Sequence, residues 1–78
     1  MVSDVLMEIV MSRHALEQAR ERGISINEIK KAVQRGAKYF QEKNKIASDY
    51  TYIRVIFKKE KDFYFIITVI IRGGQDGK

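Results

Sequence analysis

His14 is the only histidine in the 78-residue chain, so no pair of imidazoles can divide acid and base roles, and a metal would fall to carboxylates plus one imidazole. Stepped at about 100° per residue along a helix, His14 falls with Glu17, Gln18 and Glu21 on a polar side, nearly opposite Leu16 and Ala19. Substrate and water would both reach it. Imidazole titrates near neutral pH, which suits general acid/base chemistry, although an exposed histidine at a helix start is commonly inert. Arg20 and Arg22 flank the apolar stripe on opposite sides and cannot both reach one phosphate; each also reads as a snorkelling side chain whose stem covers the core edge. A second group is Tyr52, Arg54, Tyr64, Thr68 and Arg72, which offers stacking planes, guanidinium forks and a hydroxyl of the kind that single-stranded RNA recognition uses. Aromatic and β-branched residues fill any half-exposed sheet as well.

The elements that must position these residues follow from punctuation and period. The apolar stretch Val5 to Met11 reads as a strand that ends at Ser12, a good helix N-cap. Arg13 to Arg22 lacks any β-branched residue and stops at Gly23, a left-handed cap. Ser25-Ile26-Asn27-Glu28 is a capping box, and Ile26, Ile29 and Val33 form an apolar stripe that runs to Gly36. The two-residue link Gly23-Ile24 makes the helices a compact hairpin or corner. Beyond Gly36 the period changes to 2, with strands expected around Lys38 to Lys43, Tyr50 to Phe57 and Phe63 to Ile71. Pairing Phe57 with Phe63 places Val55 by Phe65, Ile53 by Ile67 and Thr51 by Val69 on a covered apolar face. The same register sets Tyr52 by Thr68, Arg54 by Ile66 and Ile56 by Tyr64 on the open face, with Arg72 one step past Ile70. The expected fold is therefore α+β: a small four-stranded antiparallel sheet in the order β-α-α-β-β-β, covered on one face by a helical hairpin.

Length bounds the answer to a single domain, residues 1–78, with its core at about 5–72 and a polar, glycine-rich tail at 73–78 expected to fray. No cysteine is available for a disulfide or a thiolate zinc site, so packing must carry stability. The longest apolar run, Phe63 to Ile71, has nine residues against the roughly 20 that a membrane helix needs. With Asp4 and Glu8 in place of a basic leader, the N-terminus does not read as a secretory signal, and a cytoplasmic location is expected. Fifteen Lys and Arg against ten Asp and Glu leave +5, a bias toward polyanions that solvated helix faces also explain. Phosphate loops, nucleophile elbows and dinucleotide fingerprints do not occur, and no cofactor is expected.

The run His14-Ala15-Leu16-Glu17, then Glu21-Arg22-Gly23-Ile24-Ser25, then Ile66-Ile67-Thr68-Val69 resembles a family of small microbial domains of unknown function, over about residues 9–71. That family has been grouped with RelE- and ParE-type toxins and the barnase, EndoU, colicin and RelE fold. The resemblance implies a four-stranded antiparallel sheet with a packed helical hairpin. It further implies RNA binding with metal-independent endoribonuclease cleavage, in some relatives within a toxin and antitoxin pair. His14, Arg22 and Thr68 are the residues carried over to a catalytic role; Tyr52, Arg54, Tyr64 and Arg72 are the expected RNA contacts. In the family an arginine often follows the histidine by four residues; here that position is Gln18, so Arg22 or Arg54 replaces its charge or cleavage is lost.

Three readings stay open. The first is RNA binding with or without cleavage. The second is a catalytically silent module that binds an antitoxin or another protein, with homodimerisation expected for so small a core. The third is a helix-turn-helix DNA binder, in which Ala19, Gly23 and Ile29 set the turn and Asn27, Lys30, Lys31, Gln34 and Arg35 face a major groove; a helix to brace the pair is missing from the sequence pattern.

Overall fold

A computed structural model describes residues 8–72. The expected strand residues before Glu8 and the expected tail lie outside that range. Strand β1 (Glu8–Met11) leads into helices α1 (Arg13–Arg22) and α2 (Ile26–Arg35), then strands β2 (Ala37–Phe40), β3 (Lys45–Tyr50), β4 (Ile53–Lys59) and β5 (Phe63–Ile71). Local chemistry sets the helix limits. Ser12 accepts the Ala15 amide at the head of α1, and Gly23 closes it in the left-handed region at φ 69°. Both halves of the Ser25–Glu28 capping box are made at the head of α2.

The sheet is five-stranded and mixed, in the order β1-β5-β4-β3-β2. Two corrections to the four-stranded antiparallel expectation follow. Strand β1 runs parallel to β5, pairing Glu8 with Phe63 through Met11 with Ile66. The expected Lys38 to Lys43 strand is instead β2 alone, which ends at Phe40 and turns through Lys43 and Asn44, both at positive φ, into the additional strand β3. That strand, Lys-Ile-Ala-Ser-Asp-Tyr, carries the small residues Ala47 and Ser48 at its fully buried positions, so it lacks the alternation of large apolar residues that marks a strand.

The hairpin of β4 and β5 forms, with a different register. Val55 pairs with Val69 and Ile53 with Ile71, displaced four residues from the expected pairing. An even displacement keeps Ile53, Val55 and Val69 on the helix side. Between Thr68, opposite Ile56, and Ile66, opposite Phe57, Ile67 is an extra residue, a β-bulge. The bulge reverses the faces of the first half of β5. Ile66 is buried and Tyr64 packs edge-on to Phe57 with ring centroids 5.2 Å apart, while Phe63 and Phe65 turn to the open face.

Both helices lie on one face, α1 over β5 and β1, α2 over β3 and β4. Ala15 and Ala19 of α1 and Ile29, Ala32 and Val33 of α2 close on Ile53, Val55, Phe57, Ile66 and Val69. At the end of α2 the Gly36 amide donates to the Ala32 carbonyl, which also accepts the hydroxyl of buried Ser48. A Cβ on Gly36 would stand against that hydroxyl and 2.8 Å from the Asp49 carbonyl oxygen. Gly36→Ala is therefore expected to cost about 1–3 kcal/mol in a urea melt through overpacking. Thr51, in the two-residue link to β4, is held at φ 51°, a region that a β-branched residue resists. Thr51→Gly is expected to raise stability by about 1 kcal/mol in the same measurement.

Candidate functional site

Helix α1 is fastened to the edge of β5 where β1 stops. The Ser12 amide donates to the Ile66 carbonyl at 3.0 Å, its hydroxyl donates to the Ile67 carbonyl at 3.2 Å, and the Gln18 side-chain carbonyl accepts the Val69 amide at 3.0 Å. Gln18 therefore fixes which flank of α1 meets the sheet rim. His14 lies one turn before it on that flank and is exposed; Arg22 lies one turn after it. Among the described residues only Glu21, at 3.8 Å and well exposed, pairs with Arg22, an interaction of little energy in water. Thr68 adjoins Val69 and projects on the open face beside Ile56. His14 and Arg22 thus lie along one rim, with Gln18 committed to the backbone between them, while Thr68 projects from the face of β5 away from α1 and is not brought to them.

The expected RNA-contact group divides. Arg54 and Arg72 converge at one place, because the observed register sets Arg54 opposite Ile70 and not opposite Ile66, and they converge on a carboxylate that the sequence pattern does not single out. Asp49 accepts Nε of Arg54 at 2.7 Å and a second guanidinium nitrogen at 3.1 Å, and Nε of Arg72 lies 3.8 Å away. Arg72 also donates to the Thr51 carbonyl at 2.9 Å, and the Arg54 guanidinium sits 5.8 Å from the Tyr39 ring centroid. Tyr39 and Asp49 went unnoticed because they belong to β2 and β3, whose pairing the sequence period did not reveal. The two tyrosines leave the group. Tyr64 is turned into the core side by the bulge at Ile67. Tyr52 sits in the turn before β4, where its hydroxyl donates to the Glu28 carboxylate of α2 at 3.1 Å. The expectation that Tyr52 and Thr68 emerge together on the open face is met by Thr68 alone.

Glu28 is held below its ordinary range by the Ser25 backbone amide first and by the Tyr52 hydroxyl second, and the same contact pushes the Tyr52 phenol up. That carboxylate stands in the first turn of α2, the end a recognition helix would offer to a groove. Lys30, Lys31, Gln34 and Arg35 are exposed, but α2 lies along β3 and β4, and among the described residues no third helix braces the pair. Among the described residues no three His, Asp or Glu side chains gather as a metal site, and no helix is long and apolar enough to cross a membrane.

The model of the family described as Domain of unknown function (DUF4258) matches residues 11–71, from the last residue of β1 to the end of β5. The chain belongs to this family. No curated protein and no solved structure matches it. The matched segment of this DUF4258 domain contains the whole α1 rim and the Asp49 cluster except Arg72, which lies one residue beyond it.

The hydrogen bonds from Arg54, and next the nearby charges of Arg54 and Arg72, hold the Asp49 carboxyl below its ordinary 3.8. Because the folded value lies below the unfolded one, the cluster's contribution to stability is present above pH of about 4 and is lost as pH falls through the folded value. Thermal melts between pH 6 and pH 2 are expected to show this loss, and Asp49→Asn should flatten the acid limb while lowering the melting temperature at neutral pH.

Proposed function

We propose that this DUF4258 domain is an RelE-toxin-like RNA-binding domain whose contact line is the α1 rim, with the sheet-face arginines as a secondary and partly neutralised patch. The observation that supports this reading is the stripe His14, Gln18, Arg22, in which the Gln18–Val69 hydrogen bond sets an exposed imidazole and a weakly paired guanidinium two helical turns apart along the edge of β5. Two positions about 12 Å apart along a helix axis suit two separate phosphates of a single strand, about two nucleotides apart, better than one phosphate.

Metal-independent cleavage would need a base for the 2′-hydroxyl, charge stabilisation at the pentavalent phosphate and an acid for the 5′-oxygen. His14 would supply one proton transfer and Arg22 the charge. Thr68 has only a hydroxyl to offer, and Tyr52, bound to Glu28, is a poorer acid than a free phenol. The second proton transfer has no efficient carrier, so binding with slow turnover is the activity this site supports best. An antitoxin or another protein partner belongs to the same proposal as a regulator and has no surface of its own among these residues.

The experiment uses a labelled single-stranded RNA in chelator, with anisotropy for binding and gel analysis for cleavage. Arg22→Ala is expected to weaken binding and to reduce the salt dependence by about 0.7 per lost phosphate contact. His14→Ala should lower whatever cleavage is seen by roughly 100-fold. Asp49→Asn should release Arg54 and Arg72 and tighten binding several-fold. Equal affinity for wild type, Arg22→Ala and Asp49→Asn would sink the rim assignment, and no binding to free or ribosome-bound RNA would sink the proposal itself.

A further inference from the structure

Strand β2 is the edge of the sheet opposite the α1 rim, and all four of its residues are exposed. The Gln41 amide donates across to the Lys45 carbonyl, so in the antiparallel ladder Ala37 and Tyr39 also direct their backbone groups to β3. The amides and carbonyls of Lys38 and Phe40 therefore point out of the sheet. Edge strands are commonly guarded by a lysine that forbids further pairing. Here the guard is folded away: the Lys38 ammonium donates to the Gln34 carbonyl at 3.2 Å and the Gly36 carbonyl at 3.1 Å, capping the end of α2. The side chain beside it is Phe40, 80% exposed.

We propose that β2 pairs antiparallel with β2 of a second copy of this chain, about a two-fold axis through Tyr39, to form one continuous ten-stranded sheet. Three observations select this occupant and register. First, outward groups on Lys38 and Phe40 are all satisfied only when Lys38 faces Phe40 of the other copy, which sets Tyr39 opposite Tyr39. Second, that central pair is a non-hydrogen-bonded one, in which side chains approach most closely, and both rings lie on the open face. Third, the cations near the seam are engaged within their own chain although each chain carries +5: the Lys38 ammonium is bound to the end of α2, and Arg54, beside Tyr39, is paired with Asp49. The stem of Lys38 then lies against Phe40 of the other copy, and the helices of both copies stay on the same side. Registers centred on Lys38 would oppose two lysines.

The chain has no cysteine, so a single introduced one reports the register without competition. On oxidation Tyr39→Cys should give a disulfide-linked dimer, since directly opposed Cβ atoms lie about 4.5–5.5 Å apart in such a pair. Phe40→Cys should link far less, because its symmetry mate is a diagonal neighbour at about 7–8 Å. Sedimentation of the wild-type chain should show dimer growing with concentration, and Phe40→Asp should weaken it by at least about tenfold with an unchanged melt at concentrations where both chains are monomeric, as expected of an exposed hot-spot aromatic. A monomer at all concentrations, a dimer that forms only on adding RNA, equal cross-linking at both positions, or a dimer indifferent to Phe40→Asp would each overturn the proposal. The cross-linking pair decides the matter even if Phe40→Asp fails to fold, and none of these readouts depends on the RNA-binding assignment.

Discussion

The extra residue at Ile67 is the constraint on which the rest of the domain depends. In a regular strand, residues three apart face opposite sides; here Ile66 and Val69 are both fully buried on the helix side because the bulge inserts one residue between them. The same irregularity ends the pairing with β1 and exposes the Ile67 carbonyl and the Val69 amide at the strand edge. Ser12 and Gln18 fill those two places. Without a bulge, α1 would lose its attachment, and the two small residues Ala15 and Ala19 would meet a surface of the wrong parity.

Features decided within three or four residues were legible in the sequence: the Ser12 cap, the Gly23 stop, the Ser25–Glu28 box and the extent of β5 from Phe63 to Ile71. Each rests on a local hydrogen bond or an unbroken apolar run. What could not be read depends on pairing across the chain. The run Phe63 to Ile71 is apolar on both faces, so nothing in it distinguishes a regular strand from a bulged one, and Tyr64 was placed on the wrong side for that reason. Strand β3 was missed because its core positions hold Ser48 and Ala47, small enough to sit beneath the end of α2 and between Tyr39 and Ile56. Missing β3 meant missing Asp49, and with it the partner that Arg54 and Arg72 actually have. In the sequence Gln18 reads as a lost charge; in the fold it is the acceptor for the Val69 amide at the strand edge.

The basic excess is thereby sorted by location. On the open face two arginines share one aspartate, with bidentate geometry on one of them, so the cation density there is lower than the sequence suggests. At the turn beneath α2, Tyr52 and Glu28 exchange a hydrogen bond that binds the β3–β4 connection to the helix start. Along α1 the acids Glu17 and Glu21 are exposed neighbours with no comparable hold on the cations, and the imidazole and Arg22 remain available to solvent. The fold therefore does more to spend charge on the sheet than on the rim.

The strand order then separates the two proposed surfaces, which would otherwise compete. The rim lies at β5 and the free edge at β2, three strands apart in the sheet. If β2 joins its counterpart, the two β5 strands stand seven strand spacings apart, roughly 34 Å before twist shortens it. If the rim binds RNA as proposed, each rim would offer few phosphate contacts and bind weakly alone, but a single strand long enough to span both would meet the second rim at a high effective concentration. A chain of this size cannot enlarge its own contact surface, and pairing through the edge farthest from the site would enlarge it without covering any residue that the site uses.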